Sequence, residues 1–391
     1  MTRSVITTFF ILAIILSVQP AFSLPRFALL TGSQCQSCHV DPTGGRMRNF
    51  FGFNYGKDEL PIRATRDKDF EISPKLSDNV SIGADFRTQF IYEGFKETTS
   101  FQAMTATLYG TLAIGKKINI YYKQDVINGT YVQSSRGYLA GTEAFGLLKI
   151  LPNNSYIKAG LFYPAYGLRL DDHTSYIRGG DLGFLAGHTF NTGLPFVPNY
   201  KDIGIEVGAY LGKALITAAV LNGTGNDQTI DIGRTNEKAV AARLEYVDRL
   251  SDVGLMLGGS YYNYGALTLS GFYAGIGYDI ITVAGEVDFA KDLASYRGLH
   301  SLAAYAEVTL RATEGLWVIA KFDYFDGDRD KEDVSILVQK LPPRANSVKR
   351  YTVGVEFFPY SFVEVRPQYR INSEAPSVDN DEFLIQFHFW L

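Results

Sequence analysis

The sequence predicts an all-β fold: a transmembrane antiparallel β-barrel of about sixteen strands, with a small segment of different character ahead of it. Three observations lead there. From Val80 onward apolar and polar residues alternate with period two, the pattern of strands with one apolar and one polar face. The connections between these stretches alternate between short and long, which a soluble sandwich has no reason to do and an outer-membrane barrel does. The last stretch carries Phe383, Ile385, Phe387, Phe389 and Leu391 as one apolar row running to the final residue. Composition agrees, since 27 Phe, 25 Tyr and 38 Gly favour strands, tight turns and aromatic surfaces. Outside the N-terminal leader no apolar run is long enough for a membrane-spanning helix.

In chain order, residues 1–23 read as an export signal. Arg3 supplies the positive start, Val5 to Val18 the apolar stretch, and Ala21-Phe22-Ser23 the small-x-small cleavage site before Leu24. Its apolar stretch falls short of the ~18 residues expected of a spanning helix. Loss of Arg3 with the signal moves the formal charge from -4 to -5, and so mild an acidic balance argues against nucleic acid as a partner.

Residues 24–79 form a small irregular segment, too short to build a large core alone. It holds the only two cysteines of the chain. Cys35 and Cys38, with His39, spell C-x-x-C-H, the attachment signature of c-type haem. Two thiols at that spacing can add to the two vinyl groups of one porphyrin, and the adjacent imidazole then becomes the proximal iron ligand. One covalent haem c is therefore expected on Cys35 and Cys38, with His39 on its iron. Other uses of the pair fit less well. A disulfide across so short a loop stabilises little. A thioredoxin-like pair wants βαβ surroundings. Zinc needs further ligands nearby, and no Cys or His follows His39 until His173.

The second iron ligand stays open among Met47, His388, His173 and His188. Met47 follows His39 by eight residues, which reach roughly 26 Å when extended, with Gly44-Gly45 allowing the turn. His388 alternates with the outward row of the last strand and so faces the lumen.

Residues 80–391 form the barrel. The strand stretches are 80–92, 101–114, 117–127, 143–151, 155–163, 201–211, 213–222, 238–248, 252–262, 272–279, 281–290, 301–311, 316–325, 348–358, 362–371 and 382–391. An even count returns both termini to the periplasmic side. A barrel of this size encloses an aqueous lumen rather than a packed core. Arg87, Arg243, Glu245, Glu286, Lys321, Asp323, Glu364, Arg366 and Arg370 fall on its inward face. The longest connection, 164–200, is expected to fold into the barrel and narrow it, with Arg169, Asp171, Asp172, His173 and Arg178 at the constriction; the alternative is an ordinary surface loop.

With an exported C-x-x-C-H segment ahead of a barrel, the chain resembles the fused monohaem cytochrome–porins of the bacterial outer membrane, which include outer-membrane iron oxidases. Phe27-Ala28 and Thr31-Gly32-x-x-Cys35-x-x-Cys38-His39, followed by Pro42 and Arg46, are similar to that family's haem segment; Gly44 to Asn49 depart from the iron oxidases. The resemblance implies an electron-transfer protein rather than a hydrolytic or synthetic enzyme, with ferrous-iron oxidation as one form of that activity. Electrons would pass between an extracellular donor or acceptor and periplasmic cytochromes. One haem cannot bridge a hydrocarbon layer ~30 Å thick from one face, so the haem segment is expected to plug the lumen. Acidic loop residues Asp326, Asp328, Asp330, Glu332 and Asp333 would attract a cation such as ferrous iron. The rival expectation is a diffusion or anion-selective porin with a peripheral haem segment.

Overall fold

The computed structural model describes residues 25–63, 72–128, 141–170, 172, 174–178, 180–182, 191–194, 201–223, 236–293, 296–337 and 343–391. The export signal and the charged stretch beyond Arg63 lie outside them, as do Asp171, His173 and His188.

The chain closes into one antiparallel barrel of sixteen strands. They are β1 (Val80–Glu93), β2 (Thr98–Ile114), β3 (Ile118–Asn128), β4 (Thr142–Leu148) and β5 (Tyr156–Phe162), then, after a small pair β6 (Asp181–Leu182) and β7 (Asn191–Thr192), β8 (Asp202–Leu211) and β9 (Ala214–Leu221). The wall continues through β10 (Ala239–Leu250), β11 (Val253–Tyr264), β12 (Leu267–Tyr278), β13 (Ile281–Leu293), β14 (Tyr296–Thr313), β15 (Leu316–Asp326), β16 (Ser347–Phe357), β17 (Val363–Glu374) and β18 (Glu382–Trp390). Each pairs with its sequence neighbour in the wall, β5 pairs with β8, and β1 closes on β18 from Asp85↔Trp390 to Glu93↔Glu382. All sixteen expected stretches are barrel strands.

Period two decides the faces. Along β17, Glu364, Arg366, Gln368 and Arg370 are buried inward while Tyr369 and Ile371 lie exposed outside. Along β18, Leu384, Gln386, His388 and Trp390 point in and Phe389 points out. All nine charged residues placed on the inward face from sequence are buried there. The outer surface carries Ile205, Leu244, Leu257, Phe272 and Val353 exposed, the apolar exterior that a lipid-facing wall needs.

Two expectations are corrected. The outer connections are not uniformly long: β1 and β2 join through residues 94–97, and β11 and β12 through Gly265-Ala266 alone. There the ladder continues up to the turn itself, with Tyr264 paired to Leu267, so residues expected in a loop are strand. The lumen is also not an open aqueous space, because two segments of the chain fill it.

The first filler is the N-terminal segment. Pro25–Thr31 is helix α1 and Phe50–Asp58 is helix α2. Gly32, at φ 68°, ends α1 in the left-handed conformation that glycine adopts most easily, its N–H donating to Ala28 O at 2.7 Å. α1 seats in a notch of the wall. Gly254 and Gly277 are cross-strand partners, and a Cβ on them would stand 1.5 and 2.9 Å from Leu29 O. Residues 60–63 leave at the short-turn end of the barrel, where Ile62 N donates to Phe358 O at 2.9 Å. No helix among the described residues is long and apolar enough to cross a membrane.

Candidate functional site

The C-x-x-C-H run forms a tight turn. A 3₁₀ turn spans Cys35–Ser37, and the N–H groups of Cys38 and His39 both donate to Cys35 O, at 3.1 and 3.0 Å. This brings both thiols and the imidazole onto one turn. Cys38 and His39 are buried, Cys35 partly so, and both cysteines are free thiols. Burial pushes both thiols up to about 12, helped at Cys35 by the carboxylate of Glu245. That is the opposite of the lowered value a redox-active or thiolate-type pair requires.

Asn49, which sequence reasoning passed over, organises the turn. Its side chain accepts from Gly52 N at 3.0 Å, capping α2, and donates to Gln36 O and Ser37 O at 3.1 and 3.0 Å. Gly52 lets α2 lie directly on the motif, since a Cβ there would be 2.3 Å from Cys38 O. One turn on, Gly56 faces Trp390. An Asn three residues before a Gly-x-x-x-Gly helix was the available signal.

The turn is keyed into the wall by charge. Asp41 pairs with Lys158 on β5 at 3.2 Å, and Lys158 also pairs with Glu206 on β8 at 2.9 Å. Burial opposes the charge of Asp41, but Lys158 and Arg169 hold its carboxyl below the usual range. Arg46 pairs with Glu143 on β4 at 3.2 Å and lies 4.1 Å from the Tyr163 ring centroid. At the start of α1, Arg26 bonds Glu356, which Arg366 also holds at 3.0 Å. Phe27, Leu60, Trp317, Phe358 and Trp390 close an apolar cluster around this end.

The residues present fit a covalently held haem in their donor chemistry. Two thiols and an imidazole share one turn. Beside them stand two glycines at positive φ, Gly44, whose Cβ would be 3.0 Å from Cys35 Sγ, and Gly45, whose Cβ would meet nothing within 4 Å.

The distal candidates fare differently. His39 and Arg48 form an antiparallel bridge, with Val40 N donating to Met47 O at 3.2 Å. Alternation across that bridge sends Met47 to the face opposite His39, into a cluster with Tyr109 and Tyr121. His388 does face the lumen, but Nδ1 lies 3.0 Å from Glu364 and Nε2 lies 3.1 Å from Asp85, so both nitrogens are engaged by carboxylates. Met47 thus lies beside the turn with its side chain packed into the wall, and His388 lies on β18 with its nitrogens held by carboxylates. His173 and His188 lie outside the described residues.

The second filler is the long connection after β5. Its described part crosses the lumen to the far wall. Gly167 N donates to Ser260 Oγ at 2.8 Å, Leu168 N to Glu286 at 2.7 Å, and Tyr166 OH to Asp288 at 3.0 Å. Arg178 grips Glu286 through Nη2, at 2.7 and 2.6 Å from its two oxygens. Asp172 pairs with Lys321 at 3.0 Å and lies 3.6 Å from Arg370, and Thr174 Oγ1 accepts from Arg370 at 2.8 Å. Arg169 reaches the other way and donates to Thr43 Oγ1 at 3.0 Å, joining this loop to the haem-motif segment. Arg169, Asp172 and Arg178 therefore sit in the lumen; Asp171 and His173 lie outside the described residues.

Burial opposes the charge of Asp172, but Lys321 and Arg370 hold its carboxyl well below the usual range. A carboxylate depressed in the folded state lends stability above its unfolded value and loses it only as pH falls through the folded one. The Asp172 anchor should thus be indifferent between about pH 7 and about pH 5, and fail only in stronger acid. Hydrogen exchange at the Arg178 amide, corrected for intrinsic rate, should be flat over that window. Loss of protection already in mild acid would show that Asp172 does not hold the loop.

Fold and site together define a porin-type barrel with a doubly filled lumen. Solved structures share the architecture. OprB of Pseudomonas putida aligns with a TM-score of 0.56 at 10% identity, covering 80% of this chain and 94% of that one. A loop-deletion mutant of the outer-membrane protein OmpT of Vibrio cholerae aligns at 0.52 and 13%, covering 80% and 99%. The outer-membrane channel DcaP of Acinetobacter baumannii aligns at 0.52 and 12%, covering 82% and 100%. At such identities the likeness is one of fold. No protein-family profile matches the chain, and no curated protein matches it in sequence.

Proposed function

We propose that this chain is an outer-membrane barrel of porin architecture whose N-terminal segment carries one c-type haem and makes it an electron-transfer protein. The channel part of this reading is supported by the fold of OprB, OmpT and DcaP and by the apolar exterior. The redox part rests on the C-x-x-C-H turn, and one observation carries it: the turn is built into the lumen through Asp41, Arg46 and Arg26 rather than appended outside. Cys35 and Cys38 would hold the haem and His39 would bind its iron, and the group would supply reversible one-electron chemistry. The chain's own contribution is to fix the segment inside the wall and exclude bulk water around it. Periplasmic cytochromes would be the inner partners, and an extracellular donor such as ferrous iron or an extracellular acceptor the outer one.

The second reading is a diffusion or anion-selective porin in which the same segment is only a plug. The comparisons favour it over electron transfer, since one of the barrels that share this fold, DcaP, is an outer-membrane channel. The inward loop with its basic residues favours it too.

One experiment separates the two. Protein purified from outer membranes should show a reduced c-type haem spectrum, and Cys35→Ser with Cys38→Ser should abolish it while the barrel still folds. In liposomes, the wild type should pass electrons from an external reductant to an enclosed cytochrome and conduct ions poorly. A haem-free protein with porin-like conductance would overturn the electron-transfer reading in favour of the second.

A further inference from the structure

We propose that Glu374, Asn380 and Glu382 form a binding site for a hard divalent cation at the long-loop mouth of the barrel. Glu374 ends β17 and Glu382 begins β18, and the connection between them brings Asn380 against Glu374, while Asn372 Nδ2 donates to both Asn380 O and Glu382 Oε1. Four acidic side chains crowd this corner. Glu382, 1% exposed, sits directly opposite Glu93, itself 7% exposed, in the seam of the barrel. Like charges in that relation destabilise a strand pair. Asp381 follows Asn380, its carboxylate taken up by Asn372 N and Tyr369 OH, each at 3.1 Å. Two arginines face these acids: Arg350, near Glu374, donates to Asn372 Oδ1 at 3.0 Å. Arg370 lies 3.6 Å from Glu382 but is shared at 3.6 Å with Asp172 of the constriction loop.

A second observation, independent of the charge, points to a ligand. Asn380 is 1% exposed, and its Nδ2 donates to Glu374 Oε1 at 2.9 Å. The planar amide therefore holds its oxygen within the same cluster. Yet among the described residues no group donates to Asn380 Oδ1 or to Glu374 Oε2, although both atoms are buried. Leaving a buried acceptor unsatisfied costs about 1–3 kcal/mol, so two in one corner call for a shared positive partner. Carboxylate and amide oxygens are the ligands of hard cations, magnesium, calcium, manganese or ferrous ions among them, with water completing the shell. No three His, Cys, Asp or Glu side chains converge into a ready-made metal centre among the described residues. The amide oxygen is thus integral to this site, and a water-rich, exchangeable coordination follows. The site stands apart from the haem reading, whose failure would leave it untouched.

Manganese(II) provides the probe, followed by the loss of its free-ion magnetic resonance signal on titration into the full-length protein in detergent. The wild type should bind one ion that calcium displaces. Asn380→Ala should weaken binding about tenfold, as expected for loss of one oxygen ligand, and Glu374→Gln with Glu382→Gln should abolish it. Asp330→Asn with Asp333→Asn, in a different outer loop, should leave it unchanged. Heat-modifiable gel mobility reports whether each variant is folded. The proposal is overturned if the wild type binds no manganese, or if folded Asn380→Ala binds it as tightly as the wild type. Equal loss from the Asp330 and Asp333 variant would equally sink it, showing diffuse attraction to an acidic mouth.

Discussion

Deleting residues 25–63 is expected to turn a poorly conducting barrel into one with a porin-sized pore. The inward charges that grip this segment each lose one partner, though Lys158 keeps Glu206 and Glu356 keeps Arg366, and the freed side of each would then face water. The penalty of about 3–5 kcal/mol for stranding a charge in a dry interior does not apply to a wetted lumen. The apolar cluster is the costlier loss. Trp317, Phe358 and Trp390 would become solvated, each at about 1.5–3 kcal/mol. The closed sixteen-strand ladder is untouched by the deletion, so the barrel should persist with lower stability. Planar-bilayer recordings should show conductance rising by about an order of magnitude, as a sixteen-strand barrel can hold an aqueous channel. Unchanged conductance in a folded deletion variant would mean that the loop after β5 closes the lumen unaided.

Arg178→Ala should release that loop. The guanidinium is 2% exposed and holds Glu286, with Asp288 3.9 Å away. Removing it strands two buried carboxylates, a loss of about 3–5 kcal/mol. The neutral contacts that remain, such as Gly167 N to Ser260 Oγ, contribute only about 0.5–1.5 kcal/mol each. The balance tips toward detachment. Proteolysis within 164–182 should become fast in the variant and slow again in Arg178→Met with Glu286→Leu and Asp288→Asn, where no charge is stranded. Equal protection of wild type and Arg178→Ala would assign the anchoring to Asp172 and its bases.

The barrel was legible because period two is written in single residues. A wall strand must show lipid one face and the lumen the other, so Glu364, Arg366 and Arg370 declare themselves inward without any knowledge of their partners. That Cys35, Cys38 and His39 share one turn was equally legible, since it depends on spacing within five residues. Length alone singled out the loop that carries Arg169, Asp172 and Arg178. The pairings were not legible. Asp41 with Lys158 and Arg46 with Glu143 join residues about a hundred positions apart, and nothing local marks either member. The seat of α1 was hidden for the same reason: Gly254 and Gly277 meet only through strand register. The aqueous lumen that strand count alone implies is taken up instead by the two segments expected to enter it, the one ahead of the barrel and the long connection after β5. Met47 was within reach by chain length, and the structure sets it beside Val40 with its side chain among Tyr109 and Tyr121, a packing no local pattern announced.

The depth at which Cys38 lies, 1% exposed within a ring that has no open edge, sets a timetable for biogenesis. Any enzyme that modifies this thiol must reach it before β1 and β18 zip together. On the haem reading proposed above, the segment ahead of the barrel would have to be loaded first, and pairing of β18 with β1 would seal it in. Under that reading maturation and membrane insertion would be ordered by topology, and a chain that closed its seam too early would be locked in the unmodified form.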